Sequence, residues 1–394
     1  MIYLDNNATT KVDEKVLESM MPYFTEEYAN PSSIYDFSKK SSRAIKDARG
    51  VIKDFINASN EKEIIFTSCG SESANTAIKG VLNYNKAKKH IVTTKVEHPC
   101  VLNVYKSLEK QGYKVDYLSV NSNGDLDLEE LDSVINPETA LVSVMWANNE
   151  TGVINPIKKV SEIIKSKNAD TKLFVDAVQV AGKIPMDVQE MGIDLLGISG
   201  HKFHAPKGVG ALYVNSKTMI TPLIIGGHQE RGKRAGTENV PYIVGMAKAA
   251  ELAQDALKYE VTEVKRLRDK LETNLLKNIY NARLNTAVTN RVPNTTNIGF
   301  EYVEGELILL HMSDLGICAS SGSACTSGSL EPSHVLRAMN VPFTAIHGSI
   351  RFSLSRYTTE KEIDFVCEKM PQIIEKITAI SPFQDELAAL KARK

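Results

Sequence analysis

The first two thirds of the chain alternate two kinds of segment, and this constrains the fold more than any other feature. Short aliphatic and β-branched runs recur at Glu63–Thr67, His90–Thr94, Lys114–Val120, Ala140–Trp146, Lys172–Asp176, Leu195–Ser199 and Gly210–Val214. Polar turn residues bound each run, the pattern of buried strands. The segments between them often have helical spacing: Ile157–Lys167 places Ile157, Val160, Ile163 and Ile164 on one face. Strands and helices in this order predict an α/β fold, with a mostly parallel seven-stranded sheet covered by helices on both faces.

A continuous helical pattern then runs from about Pro241 to Tyr280, with Glu238 and Asn239 as candidate caps. One helix of that length would span roughly 60 Å. That exceeds a small core, so the segment is expected to link two domains, with or without a kink. Beyond it, Thr296–Phe300, Ile317–Ser320 and Ile350–Ser355 read as strands, and Gly305–Leu315 and Thr359–Thr378 as helices. A chain of 394 residues is longer than one core usually supports. The expected division is a large domain over 14–253 and a smaller α+β domain made of 1–13 and 254–394.

Charge narrows the function classes. Lys and Arg number 47 and Asp and Glu 48, for a net charge of −1. No block of charge suggests a nucleic-acid arm or a membrane patch. No apolar stretch is long enough to span a bilayer, and the start of the chain lacks a signal-peptide pattern. A cytoplasmic protein is expected. Cys69, Cys100, Cys318, Cys325 and Cys367 form an odd set without a Cys-x-x-Cys pair. They read as free thiols, not as a zinc site or a disulfide framework.

Several expected strand ends carry reactive side chains. Leu195–Ser199 runs into Gly200-His201-Lys202. Ligands of open α/β sheets bind at the carboxyl ends of strands, and a lysine near apolar walls has a lowered amine pKa, which suits Schiff-base chemistry. Alone, these residues would read as a surface loop. Lys172–Asp176 ends in an acid, with Gln179 three residues on; Asp176 is a candidate partner for a pyridinium nitrogen or a plain helix cap. Thr67-Ser68-Cys69-Gly70-Ser71 follows a strand and opens a helix, a place that favours an anion; His201 and Thr237 are further phosphate donors. His98, after another strand, is suited to ring stacking and proton exchange, or to a structural hydrogen bond. Pro206 and the nearby glycines make His201-x-x-His204 a turn, not a metal pair. Ser320–Ser329 is small and polar throughout and carries Cys325; a thiol in such a loop is expected to be exposed and mobile. Arg351, inside a strand pattern, wants a planar anion, either a ligand carboxylate or an internal Asp or Glu.

Taken together, these residues resemble a fold type I pyridoxal-phosphate enzyme of aminotransferase class V, and more narrowly the NifS/IscS-type cysteine desulfurases. The motifs that carry the resemblance are Glu97-His98, Asn148-Asn149-Glu150-Thr151-Gly152, Asp176-Ala177-Val178-Gln179, Ser199-Gly200-His201-Lys202, Arg234-Ala235-Gly236-Thr237 and the Cys325 loop. It covers nearly the whole chain, from Tyr3–Thr10 to the C-terminal helix. Gly70-Ser71 departs slightly, since many relatives have Thr at the second position; the hydroxyl is kept.

The resemblance implies a role for each position. Lys202 forms the Schiff base with pyridoxal 5'-phosphate. His98 stacks on the ring and handles protons, Asp176 pairs the ring nitrogen, and Gln179 contacts the ring hydroxyl. Gly70, Ser71, Ser199 and His201 hold the phosphate, with Thr237 reaching it from a partner subunit of a homodimer. Asn149 and Arg351, with Asn30 as a further candidate, bind the carboxylate of L-cysteine. Cys325 is the nucleophile that takes the sulfur as a persulfide, releases alanine and passes the sulfur to an iron–sulfur scaffold protein. No resident metal is implied, although Cys325 is a candidate transient ligand of a cluster iron. A selenocysteine lyase, a class V aminotransferase and a non-enzymatic sulfur carrier remain the alternatives. Cys69, Cys100 and His204 have no role in this scheme; the cysteines read as small buried hydrophobes.

Overall fold

The computed structural model describes residues 1–286, 289–321 and 331–393. Its main sheet has seven strands: β1 (Ile64–Thr67), β2 (His90–Thr94), β3 (Lys114–Leu118), β4 (Thr139–Met145), β5 (Lys172–Asp176), β6 (Leu195–Ser199) and β7 (Gly210–Val214). Their spatial order is β1-β7-β6-β5-β4-β2-β3. Only β7 runs against its neighbours, pairing antiparallel with both β1 and β6. The other contacts are parallel, so β1 to β6 all end at the same edge of the sheet. The expected strands are in place with ends shifted by a residue or two; Glu63 instead closes a short turn of 3-10 helix at Glu61–Glu63.

Side-chain alternation explains why helices cover both faces. Leu173, Val175, Leu196 and Ile198 point into one core, together with Ile45, Ile52, Val160, Ile164 and Met246 from helices. Phe174, Leu195 and Leu212 point into the opposite core, with helices α1 (Gly70–Tyr84) and α2 (Pro99–Glu109) supplying Ile78, Val81, Val101 and Tyr105.

The long helical pattern is real but interrupted. An α-helix at Val240–Asp255 is followed by a short turn at Leu257–Tyr259, a π turn at Glu260–Val264 and an α-helix at Lys265–Asn278. The wider π turn buries Glu260 and spares the chain one straight rod.

Four strands form a second, antiparallel sheet in the order Ser320–Ser321, Ser349–Ser353, Thr295–Phe300, Ala282–Leu284. Ile298, Phe300, Ile350 and Phe352 pack against Leu267, Leu271, Ile363 and Met370 in a separate core, which also takes Leu4. The N-terminal strand Ile2–Tyr3 pairs in parallel with Ile317–Cys318. The single strand expected at Ile317–Ser320 is therefore two, because the chain changes partner across Ala319: Ser320 lies opposite Arg351.

One loop beside the main sheet is held under strain. Glu230 and Arg231 have φ of 46° and 59°, the left-handed region that costs a non-glycine residue roughly 1–2 kcal/mol. Arg49 Nη1 and Nη2 donate to the two oxygens of Glu230 at 2.6 and 2.8 Å, and the Phe66 N–H adds a third bond at 3.1 Å. Arg49→Met leaves Glu230 buried without its cation. We expect this to cost ~3–5 kcal/mol in urea unfolding of the cofactor-free protein; a loss under about 1 kcal/mol would mean the pair does not hold the loop.

Candidate active site

The shared carboxyl edge of β1 to β6 opens on a cavity of about 340 Å³. Gly70 and Ser71 start α1 directly after the end of β1, and His98 caps α2 after β2. Asn149 follows β4, Asp176 is the last residue of β5, and Ser199 is the last of β6. Lys202 ends the 3-10 turn that follows Ser199. All of these, with Gln179, His201 and Arg351, line the cavity. The convergence follows from topology: parallel strands deliver their last residues to one edge.

One corner suits an anion. Among the described residues, the first turn of α1 has no side-chain cap at Cys69, and Gly70 and Ser71 of that turn line the cavity, which puts the positive end of the helix dipole beside it. A Cβ on Gly70 would lie 3.1 Å from Val178 Cγ2, so a larger residue would crowd this corner. Ser199 Oγ is buried without a hydrogen-bond partner among the described residues. Burial and the charges of Lys202 and Lys207 pull His201 down to about 4, so its ring is neutral near pH 7.

The opposite end suits a cation. Asp176 is buried, and its Oδ1 accepts from the Val178 N–H at 2.9 Å. Burial pushes its pKa up, against the pull of His98 and Lys202. A carboxylate placed in this way favours a charged N–H partner. Between the two ends, His98 Nδ1 accepts from the Cys100 N–H at 3.1 Å, which leaves the proton of the neutral ring on Nε2. Burial keeps that ring neutral by lowering its pKa. His98 thus makes the structural hydrogen bond that the sequence offered as one reading, and it lines the cavity as well.

Lys202 Nζ donates to the carbonyls of Asn7 and Ala8 at 2.7 and 2.6 Å. Arg351 Nη1 donates to Asn149 O at 2.9 Å, and Nη2 to Asp5 Oδ1 at 2.6 Å. Its internal acid is therefore Asp5. Among the described residues, the buried Arg351 Nε has no hydrogen-bond partner.

Three expected residues are not in this cavity. Thr237 is exposed on the loop that Arg234 ties to Glu72 at 3.0 Å. Asn30 is exposed, and its Oδ1 accepts from the Ser32 N–H. Cys325 lies outside the described residues. The chain on either side of it is anchored beside the cavity. Ser320 pairs with Arg351, Ser333 Oγ donates to Glu150 Oε2 at 2.5 Å, and His334 Nε2 donates to Glu97 O at 2.9 Å.

Cys69 and Cys100 line the cavity, half-buried and not fully in a core; burial pushes the Cys100 thiol far up, which keeps it protonated. His204 is buried elsewhere, with Nδ1 bonded to Lys11 O at 2.9 Å and its ring edge-on to Tyr357.

Asn7 received no role from the sequence, yet it joins much of the site. Its carbonyl takes Lys202 and Gln179, and its side chain contacts Thr295, Asn294, Lys183 and the Asn149 carbonyl. The polar triplet Asp5-Asn6-Asn7 directly behind an apolar start was the available signal.

Glu97 was quoted as a motif residue but given no task. It is fully buried, with Oε1 bonded to the Thr94 hydroxyl and the Met145 N–H and with Oε2 unpartnered. Burial raises its pKa from 4.5 to about 8. The folded protein therefore keeps a proton that the unfolded chain loses. This contribution to stability is full below pH 4.5 and is lost as pH rises through 8. Between about pH 5 and about pH 8, the wild type should lose ~1–3 kcal/mol relative to Glu97→Gln in urea titrations. Parallel curves for the two proteins would contradict this.

The sequence matches the family described as aminotransferase class-V over residues 2–366. A cysteine desulfurase of Nostoc sp. (strain PCC 7120 / SAG 25.82 / UTEX 2576) is 56% identical over 395 residues, covering 100% of this chain and 98% of that protein. The cysteine desulfurase NifS of Azotobacter vinelandii is 50% identical, covering 97% of this chain and 94% of its own length. Among solved structures, a NifS-like protein superposes with a TM-score of 0.90 at 40% identity, over 95% of this chain and 99% of its own.

Proposed function

The chain belongs to the class V aminotransferase family, and from that premise we propose that it is a pyridoxal-phosphate-dependent cysteine desulfurase, converting L-cysteine to L-alanine with the sulfur leaving as a persulfide on Cys325. The observation that carries this reading is the polarity of the cavity at the carboxyl edge of the sheet, which Lys202 lines. Among the described residues, an uncapped helix start and the unpartnered Ser199 hydroxyl lie at one end, and the buried Asp176 carboxylate at the other. A phosphate and a protonated ring nitrogen fit those ends.

Gly70, Ser71, Ser199 and His201 would hold the phosphate, Asp176 the ring nitrogen, Gln179 the ring oxygen and Lys202 the aldehyde carbon. When bound, the cofactor supplies an electron sink for the bonds at the substrate α-carbon. Asn149 and Arg351 orient the substrate carboxylate. Lys202 Nζ would move the α-proton, and His98 Nε2 would exchange protons beside it. The Cys325 thiolate attacks the substrate sulfur: an S–S bond forms, the Cβ–S bond breaks, and Cβ gains a proton to become the methyl of alanine. Cys325 keeps the transferred sulfur and hands it to an acceptor, for which an iron–sulfur scaffold is our candidate; in that transfer Cys325 also serves as a transient ligand of a cluster iron.

A homodimer completes this reading. Phe24, Tyr28, Ile34, Tyr35, Phe37 and Ile225 are exposed, Ile34 entirely, apolar side chains that a second subunit would cover. The partner's Thr237 would then reach the phosphate, and Asn30 would serve at the substrate end. The separate cores support a division into 14–253 and 1–13 with 254–394. We place the enzyme in the cytoplasm; among the described residues, no helix is long and apolar enough to cross a membrane.

The test is to load the purified protein with pyridoxal phosphate, add L-cysteine under reducing conditions, and measure sulfide and alanine together. Equal yields are expected. Pyruvate in place of alanine would show β-elimination instead.

A further inference from the structure

A second buried amine stands directly behind the cavity, and the reaction described above does not use it. Lys183 is 6% exposed. Its Nζ donates to Gln179 Oε1 at 2.9 Å and to Asn7 Oδ1 at 3.3 Å. Gln179 Nε2 donates to the Asn7 carbonyl at 3.1 Å. That carbonyl also accepts Lys202 Nζ. Burial pulls Lys183 down to about 7, with the charges of Lys202 and Arg351 adding to the effect and Glu260 of the π turn opposing it. A buried ammonium is a costly way to fill space, so its geometry calls for an explanation.

A glutamine amide has two ends of nearly equal shape, and its partners decide which way it faces. A lysine ammonium only donates. Lys183 therefore fixes the oxygen of Gln179 on its own side. The NH₂ end is left with one hydrogen committed to Asn7 O and the other available to the cavity that Gln179 lines. Reversing the amide would set NH₂ against an ammonium and an oxygen against a carbonyl, losing both bonds.

We propose that Lys183 is a positioning residue: it locks the Gln179 amide with its oxygen turned away from the cavity, so that the ring oxygen of the bound cofactor meets an N–H donor and is held as an anion. This rests on the reading that pyridoxal phosphate occupies the cavity with its ring oxygen toward Gln179. Lys183 touches neither cofactor nor substrate. It acts through one amide.

The readout is the absorption spectrum of the resting holoenzyme, in which the anionic form of the ring oxygen absorbs at longer wavelength than the hydroxyl form. Spectra are taken at about pH 6, where the Lys183 amine is protonated, and normalised to cofactor released by alkali. In Lys183→Met, the ratio of long- to short-wavelength absorbance should fall about threefold or more, the effect of one lost hydrogen bond. Lys183→Gln keeps a polar group in place but accepts as readily as it donates; it should give an intermediate ratio, and it carries the test if the methionine variant does not fold. Gln179→Glu keeps its bond to Lys183 but turns an acceptor toward the cavity, so the ratio should fall with Lys183 untouched.

A wild-type ratio in the Lys183 variants, alongside a shifted Gln179→Glu, overturns the proposal and leaves the cofactor reading intact. A wild-type ratio in Gln179→Glu removes instead the contact between Gln179 and the ring oxygen, and the proposal falls with it.

Discussion

Lys202→Ala, loaded with pyridoxal phosphate, should lose cysteine desulfuration by about 10³-fold or more, the scale of a group that serves as both nucleophile and proton carrier. Borohydride treatment should fix the cofactor covalently to the wild type and leave the variant unlabelled. The protein itself should stay folded. Among the described residues, Lys202 Nζ bonds the backbone carbonyls of Asn7 and Ala8, each bond worth roughly 0.5–1.5 kcal/mol, a small part of the stability of a chain with three large apolar cores. Covalent labelling of the variant would show that another amine holds the cofactor. The nearest alternative is Lys183, and labelling there would overturn both the assignment of Lys202 and the proposal for Lys183.

Cys325→Ala should behave differently. The Lys202 Schiff base should form as in the wild type, with an unchanged resting spectrum, while release of alanine and sulfide from L-cysteine falls by about 10³-fold or more. The described residues on either side of Cys325 give the structural reason: Ser320 lies against Arg351, and Ser333 bonds Glu150, the neighbour of Asn149, and Arg351 and Asn149 both line the cavity. A class V aminotransferase would not need this thiol. Full turnover by the variant would favour that alternative, and a persulfide on Cys325, detected by mass spectrometry after a single turnover, would exclude it.

The sequence disclosed the sheet well because β-branched runs bounded by turn residues leave little freedom, and Lys172–Asp176 and Leu195–Ser199 stand where that pattern puts them. It singled out Lys202, Asp176 and His98, which the structure brings to one cavity, because the chemistry of a strand end is legible once several such ends carry reactive groups. It was less informative where one residue serves two elements. Ala319 separates two strands of different sheets, yet its neighbourhood reads as one run. The π turn at Glu260 was hidden because helical spacing continues through it. Asn7 and Lys183 were hidden for a related reason. An asparagine or a lysine is an ordinary surface residue until tertiary contacts bury it, and no local pattern records that Asn7 meets Lys202 and Asn294.

The position of Asn7 also orders events during synthesis. The segment around it is made well before its partners: Asn6 bonds Ser353, 347 residues further along the chain, Asn7 bonds the same serine, and Ile2–Tyr3 pairs with Ile317–Cys318. At ~5–20 residues per second, the first strand waits on the order of tens of seconds for its mate. The carbonyl that orients Lys202 and Gln179 reaches its place only when the chain has closed on itself. A complete site therefore cannot form on a nascent chain that still lacks its last strand, however well the main sheet has already folded. Loading with cofactor becomes a test that synthesis has passed Ser353.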